Sequence, residues 1–465
     1  MTTPARAIAL GDPAHPITVH IVGIGGAGMS AIATALHSMG HTVTGSDLKA
    51  SGVTDRLRQG GIPVAIGHAG ANVGSADVVA VSSAITGDNP ETAEARRRHI
   101  AVVSRSEMLA AVASLRRCIA VAGTHGKTTT ASMLALLMVE ARLRPSFLIG
   151  GDVNEIGTNA VWDEGEWLVV EADESDGTFL ALEPDIAVVT NVEVDHLDHY
   201  GSFAAVRSAF EEFAASARSR RIVGGDDPEA ARLGRATGAD VVGIGPQCTY
   251  RMVDLELARS AIAFGLVGPD GVELGRLAVP VPGLHNAQNA AVATVAALAA
   301  GVPFDSAARA LARFAGVARR FEFRGVVNGV TFVDDYAHLP TEVRAALAAA
   351  RNGDWQRIVA VLQPHRYSRT AELWEAFGPA FGDADVTVVT DVYGAGEAPV
   401  PGVSGQLVAD AISRSFPEMP VVYAGSRAAL RRTVGELLEP GDLCCTLGAG
   451  DLTSLPDELM SDPSW

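Results

Sequence analysis

Cys118-Ile-Ala-Val-Ala-Gly123-Thr124-His125-Gly126-Lys127-Thr128-Thr129-Thr130 decides how this chain folds. The apolar run reads as a buried strand, the glycines as a tight turn, and the long apolar stretch behind the threonines as a helix. Strand, glycine loop and helix in that order turn backbone N–H groups toward a phosphate. A lysine adds a point charge and the next hydroxyl a metal-binding oxygen. Gly123, Thr124, His125, Gly126, Lys127, Thr128 and Thr129 are therefore the expected phosphate loop. The loop departs from G-x-x-x-x-G-K-[ST], because Val121 stands where the first glycine belongs.

Downstream, two more apolar runs each end in acid. Trp167-Leu-Val-Val precedes Glu171-Ala-Asp173-Glu174-Ser-Asp176, and Ile186-Ala-Val-Val-Thr-Asn precedes Glu193-Val-Asp195-His196-Leu-Asp198-His199. In a parallel sheet both clusters fall at the carboxyl edge beside the phosphate loop, where Mg²⁺ can be held by oxygen ligands, nucleotide phosphates and an imidazole. The spacing His196-x-x-His199 admits zinc, but the oxygen-rich surroundings and the absence of a nearby Cys weigh against it.

Upstream, Ile17-Thr-Val-His-Ile-Val runs into Gly23-Ile-Gly25-Gly26-Ala27-Gly28-Met29-Ser30, a G-x-G-x-x-G turn opening a helix. Asp47 ends the next strand, where an acid can reach a ribose hydroxyl. The glycines let the backbone approach a pyrophosphate, and on these residues alone NAD and UDP are equally acceptable ligands. An NAD-dependent dehydrogenase would use this turn and leave the second loop and both acidic clusters idle.

From Phe323 onward, strands such as Arg357-Ile-Val-Ala-Val-Leu alternate with Ala-rich helices. The chain thus reads as α/β with three domains. These are an N-terminal Rossmann-like domain over 1–115, a central P-loop ATPase-like domain with a parallel sheet over 116–318, and a C-terminal Rossmann-like α/β domain over 319–465. The stretch 228–283 reads as a small β-rich insertion. Three domains suit 465 residues, since single cores stop growing at roughly 250–300.

A formal charge of −18 argues against a nucleic-acid surface, which needs clustered Lys and Arg. Anionic ligands must be held by local donors instead. Cys118, Cys248, Cys444 and Cys445 form no C-x-x-C pair, which fits a reducing cytoplasmic setting. No run reaches the roughly 20 apolar residues of a membrane span, and Met1 to Pro16 lacks a basic segment followed by an apolar one.

Taken together the motifs resemble the Mur ligase family across nearly the whole chain. The matches are Gly-Thr-His-Gly-Lys-Thr-Thr-Thr, Glu-Ala-Asp-Glu-Ser-Asp, Thr-Asn-Val-Glu-Val-Asp-His, His285-Asn286-Ala-Gln-Asn289-Ala, Ala318-Arg319-Arg320-Phe and Asp334-Asp335-Tyr336-Ala-His338. The resemblance implies that the three domains bind a UDP-sugar, ATP and an amino acid in that order. It also implies that the sugar carboxylate is activated by ATP as an acyl phosphate before an amine displaces phosphate. The glycine start and the Glu-Ser-Asp segment are most similar to the branch that adds L-alanine to UDP-N-acetylmuramate in peptidoglycan synthesis; a ligase recycling whole peptides onto that sugar is the nearest alternative.

Carried over by position, Lys127 would stabilise the transferring phosphoryl group. Thr128 and Glu171 would bind one Mg²⁺ and His196 a second. Asn286, Asn289, Arg320 and Asp335 would contact ATP, and Gly25, Gly26, Ala27, Gly28, Met29, Ser30 and Asp47 the UDP-sugar. Tyr336, His338, Arg366 and Arg369 would surround the alanine. The family usually places a second His after His338, where this chain has Leu339. Several siblings hold the second Mg²⁺ with a carbamylated lysine, but Lys49 and Lys127 are the only lysines here. One of Glu211 and Glu212 offers a carboxylate to orient that metal's water shell instead, the equal alternative being that both are solvent-facing helix residues.

Overall fold

The structure, a computed structural model, describes residues 10, 15–85 and 87–461. Three sheets organise it. The first is wholly parallel: β1 (Thr18–Val22), β2 (Thr42–Asp47), β3 (Val64–Ile66), β4 (Val78–Val81) and β5 (Ala101–Ser104) lie in the order β3-β2-β1-β4-β5. The order reverses direction beside β1, so the loops after β1 and β4 open a crevice at the carboxyl edge, where such sheets take ligands.

The second sheet carries β6 (Arg117–Ala122), β7 (Ser146–Val153), β8 (Thr158–Val161), β9 (Trp167–Glu171), β10 (Ile186–Val189), β11 (Arg220–Gly224) and β12 (Asp240–Gly243). Along it the strands run β12-β11-β10-β6-β9-β7-β8. β6 is central, flanked in parallel by β9 and β10. The loops after all three therefore meet at one edge, as the sequence pattern requires. The residues of β6, β9 and β10 are almost all apolar and buried, as expected for strands covered on both faces.

These two sheets form one compact unit. The helices Ala27–Ser38 and Arg105–Ala113 share one continuous apolar core with β1, β2, β6, β7 and β9. Between 228 and 283 the chain begins with a helix, Pro228–Thr237, capped by Asp227, before β12 and then β13 (Tyr250–Leu257), β14 (Ile262–Val267) and β15 (Glu273–Val279). The β-rich reading thus holds from Asp240 onward, and only the opening helix departs from it. Asp-Pro at a helix start is the signal that competes with it.

The second compact unit takes in 314–465 with short pieces from 254–264 and 278–287. Its sheet comprises β16 (Glu322–Val327), β17 (Val330–Asp335), β18 (Arg357–Leu362), β19 (Val386–Thr390), β20 (Val421–Ala424) and β21 (Asp442–Leu447), in the order β16-β17-β21-β18-β19-β20. Only β16 is antiparallel to its neighbour. Asp335, Leu362 and Leu447 sit at one level, so the loops carrying Tyr336, His365 and Gly448 converge. Among the described residues no helix is long and apolar enough to cross a membrane.

Candidate active site

Gly123 closes β6 at φ +135°, and an added Cβ would come 2.0 Å from Thr190 Oγ1. Gly126, at φ +78°, caps the helix Lys127–Glu140, and a Cβ there would come 2.4 Å from Asn289 Oδ1. Both positions demand glycine, for conformation and for space. The loop is pinned from the neighbouring strand end: His125 N donates to Asn191 Oδ1 at 2.7 Å, and Glu193 N donates to Thr124 Oγ1 at 2.9 Å.

Lys127 is buried. Its ammonium donates to Gly123 O at 2.7 Å and to Glu174 Oε1 at 2.8 Å. Burial disfavours the charge, but Glu174, Asp173 and Glu171 outweigh it and raise the lysine's pKa. Two adjacent carboxyls are driven apart. Burial pushes Glu174 up to about 7, helped by Asp173 and opposed by Lys127. Burial also acts on Asp173, but Lys127 and Arg105 overcome it and hold that carboxyl at about 2. Glu174 Oε2 is buried with no hydrogen-bond partner.

Thr128 Oγ1 donates to Glu171 Oε1 at 3.0 Å. Two hard oxygen donors side by side, next to a phosphate-loop lysine, fit Mg²⁺, which uses one or two protein ligands and leaves the rest to phosphate and water. His196 stands at φ +56°, unusual for a residue with a Cβ, and its Nε2 lies 3.2 Å from Asp195 Oδ2 and 3.9 Å from Glu174 Oε1. His199 turns elsewhere, edge-on to Tyr200. Among the described residues no three His, Cys, Asp or Glu are gathered as a ready metal cage. Glu211 is paired with Arg232 at 2.8 Å and Glu212 is exposed, so neither joins this group; the carboxylate beside His196 and Lys127 is Glu174. Lys49 is exposed in the first domain.

In the first domain Gly25 N donates to Asp47 Oδ2 at 2.9 Å, so Asp47 closes the glycine turn. Gly26 and Ala27 are exposed, while Met29 and Ser30 face the core. Arg105 was not singled out from sequence. Its guanidinium lies over Gly28, where an added Cβ would come 3.0 Å from Nη1, and it donates to Asp173 Oδ2 at 2.9 Å. It lines two cavities. One, of about 350 Å³, is bounded by Ser82, Ser83, Arg96, Ser104 and Asp176 among others; the other, of about 140 Å³, by Gly28, Gly150, Glu171 and Asp173. The readable trace was Ser104-Arg105-Ser106-Glu107, a capping box that places Arg105 in the first turn of its helix.

Asn289 faces Gly126, whereas Asn286 is buried and donates to Pro282 O at 2.7 Å. In the second unit Asp335 accepts from Phe321 N and Ala337 N, both at 2.7 Å, and burial lifts its pKa to about 6 against the pull of Arg320. Glu342 joins the other expected residues: it accepts from His338 N at 2.9 Å and lies 3.8 Å from Arg320 Nη1. The rings of Tyr336, His338, His365 and Tyr393 meet in sequence, the first two contacts edge-on and the last stacked, with Arg369 Nη1 3.3 Å from His365 Nδ1. Arg366 holds φ +69° at the start of the helix Tyr367–Phe377. Leu339 is buried, and its amide donates to Glu342 Oε2 at 3.2 Å.

Family models match in chain order: Mur ligase family, catalytic domain, over 18–117; Mur ligase middle domain over 121–297; and Mur ligase, glutamate ligase domain over 319–450. The chain is similar to the UDP-N-acetylmuramate--L-alanine ligase of Anaeromyxobacter sp., 45% identical with 96% of this chain and 98% of the relative covered. It is likewise similar to the ligase of that name from Brucella anthropi, at 44% with 95% and 97% covered. Among solved structures, the UDP-N-acetylmuramate-alanine ligase of Thermotoga maritima superposes with a TM-score of 0.80 at 28% identity, covering 95% of this chain and 98% of that one. A murein peptide ligase from Psychrobacter arcticus shares the fold, with a TM-score of 0.69 at 24% identity over 96% and 98%.

Proposed function

The chain belongs to the Mur ligase family, and on that premise we propose that it joins L-alanine to the carboxylate of UDP-N-acetylmuramate with ATP as the driving reagent, a step of cytoplasmic peptidoglycan synthesis. The observation that carries this reading is end-to-end likeness to relatives of that name, joined to a phosphate loop whose lysine and metal-type oxygens lie beside a cavity lined by Arg105.

A carboxylate and an ammonium do not condense unaided in water, so the carboxylate must first acquire a leaving group. A sugar carboxylate oxygen attacks the γ-phosphorus of ATP, the bond to the bridging oxygen of ADP breaks, and an acyl phosphate forms. The deprotonated amine of alanine then adds to the carbonyl carbon, and phosphate departs as the amide forms. Lys127 neutralises charge on the phosphoryl oxygens, where fixed electrostatics contribute most. Thr128 and Glu171 would hold one Mg²⁺ and His196 a second, and such ions supply further neutralisation of phosphate charge. Glu174 keeps the Lys127 ammonium aimed, and Arg105 and Arg96, which both line the larger cavity, offer cations to an anionic sugar there. Arg320, Asp335, Asn286 and Asn289 serve the nucleotide; Tyr336, His338, Arg366 and Arg369 serve the amino acid.

The test is ADP formation with UDP-N-acetylmuramate and a panel of amino acids and muramyl-type peptides. L-Alanine should give the highest kcat/KM, with no ADP when the acceptor is omitted and no ADP beyond a single turnover when the amine is omitted. A peptide outperforming L-alanine would replace this reading with the recycling ligase.

A further inference from the structure

β7 pairs with β9 only as far as Leu148, opposite Val170. Its pairing with β8 is broken between Leu148 and Val153. Gly150 lies in that break, outside the paired registers, and its N–H donates to Glu171 Oε2 at 2.6 Å. The other oxygen, Oε1, accepts from Thr128 Oγ1. Both oxygens of this carboxylate are thus fixed by groups from different elements. Across the hairpin, Asn159 Nδ2 donates to Ile149 O at 3.1 Å and closes the break. A Cβ on residue 150 would come 2.8 Å from Glu171 Oε2 and 3.0 Å from Oε1, so the backbone approaches this closely only without a side chain.

We propose that Gly150 is a positioning residue for the metal-binding carboxylate: its amide and its missing side chain set the direction in which Glu171 presents its oxygens. The inference rests on the reading of Glu171 as a Mg²⁺ ligand. It also links two sites, because the β7–β8 hairpin packs on the helix Ala27–Ser38 that the first glycine turn opens, and Gly28, Gly150 and Glu171 line one cavity. Groups that orient a metal ligand typically set metal affinity by about 10–100-fold.

Gly150→Ala tests this directly, because the atom it strikes is the end of a flexible side chain, which swings away without unfolding the strand. Mn²⁺ binding is read by electron paramagnetic resonance in the presence of a non-hydrolysable ATP analogue, with no turnover. The dissociation constant should rise about tenfold or more, while the melting temperature and the metal-free affinity for the analogue stay at the parent values. Asn159→Ala, which loosens the break without a collision, should shift Mn²⁺ binding in the same direction by less. Parent-like Mn²⁺ affinity in Gly150→Ala overturns the proposal; should that variant melt early, parent-like affinity in Asn159→Ala does so. Glu171→Gln separates the premise from the inference. If it too leaves Mn²⁺ affinity unchanged, Glu171 is no ligand and the premise fails; if it weakens binding while Gly150→Ala does not, only the positioning role fails.

Discussion

Lys127→Ala should lower kcat by roughly 10²–10³-fold or more, the range for removing one preorganised donor from a developing oxyanion, and Lys127→Arg should do no better. The ammonium sits in a cleft made by two carbonyls and Glu174, a space for a point charge. A guanidinium fork is planar and wider, and it cannot fill that cleft without displacing the loop. The protein should still fold, because Glu174 can take up a proton when its cation is removed. Its folded pKa is about 7 with Lys127 present and rises further once that opposing cation is gone, so its contribution is fully present below the ordinary 4.5 and is lost as pH climbs from there through the folded value. Melting temperature in Lys127→Ala should therefore fall between pH 5 and pH 8, and adding Glu174→Gln should flatten the slope. Near-parental turnover in Lys127→Arg would remove the lysine from its assigned role.

His196→Asn should cut turnover by about 10²-fold, on the scale of a lost electrostatic contact, while ATP affinity changes by about threefold at most. Asparagine is the right replacement because it tolerates the left-handed backbone that His196 adopts, so the imidazole is removed without strain. The expected split follows from the geometry. Thr128 and Glu171 stand together at the phosphate loop, whereas His196 stands on the other acidic loop, against Asp195 and near Glu174. A group serving the reacting carboxylate acts in the transition state more than in nucleotide binding. Equal loss of affinity and turnover, measured by titration of an ATP analogue against steady-state kinetics, would sink the assignment.

What could be read from the sequence was what is local in it. The phosphate loop, Glu171 and His196 each follow an apolar strand directly, and parallel pairing of β6, β9 and β10 is enough to bring them to one edge. Met29 and Ser30 matched a motif but belong to the inward face of their helix; the stripe Met29, Ala33 and Leu36 at helical spacing was the available sign. Arg105 acquires its place only when its helix packs beneath Gly28 and beside Asp173, contacts that span 68 residues in the second case. Glu211 was drawn off by Arg232, a pairing between two helices that no local pattern announces. The first two domains form one compact unit for a similar reason, since their shared core is built from a helix of one against a hairpin of the other.

An acyl phosphate that links the two half-reactions leaves an isotopic signature in the released phosphate. UDP-N-acetylmuramate carrying ¹⁸O in its carboxylate is incubated with ATP and L-alanine, and the released phosphate is analysed by mass spectrometry. If the carboxylate oxygen attacks phosphorus and leaves with it when the amine adds, each phosphate released carries one labelled oxygen and the amide keeps the other. Unlabelled phosphate alongside amide product would mean that the phosphoryl group never bonded to the sugar carboxylate, and would contradict the account.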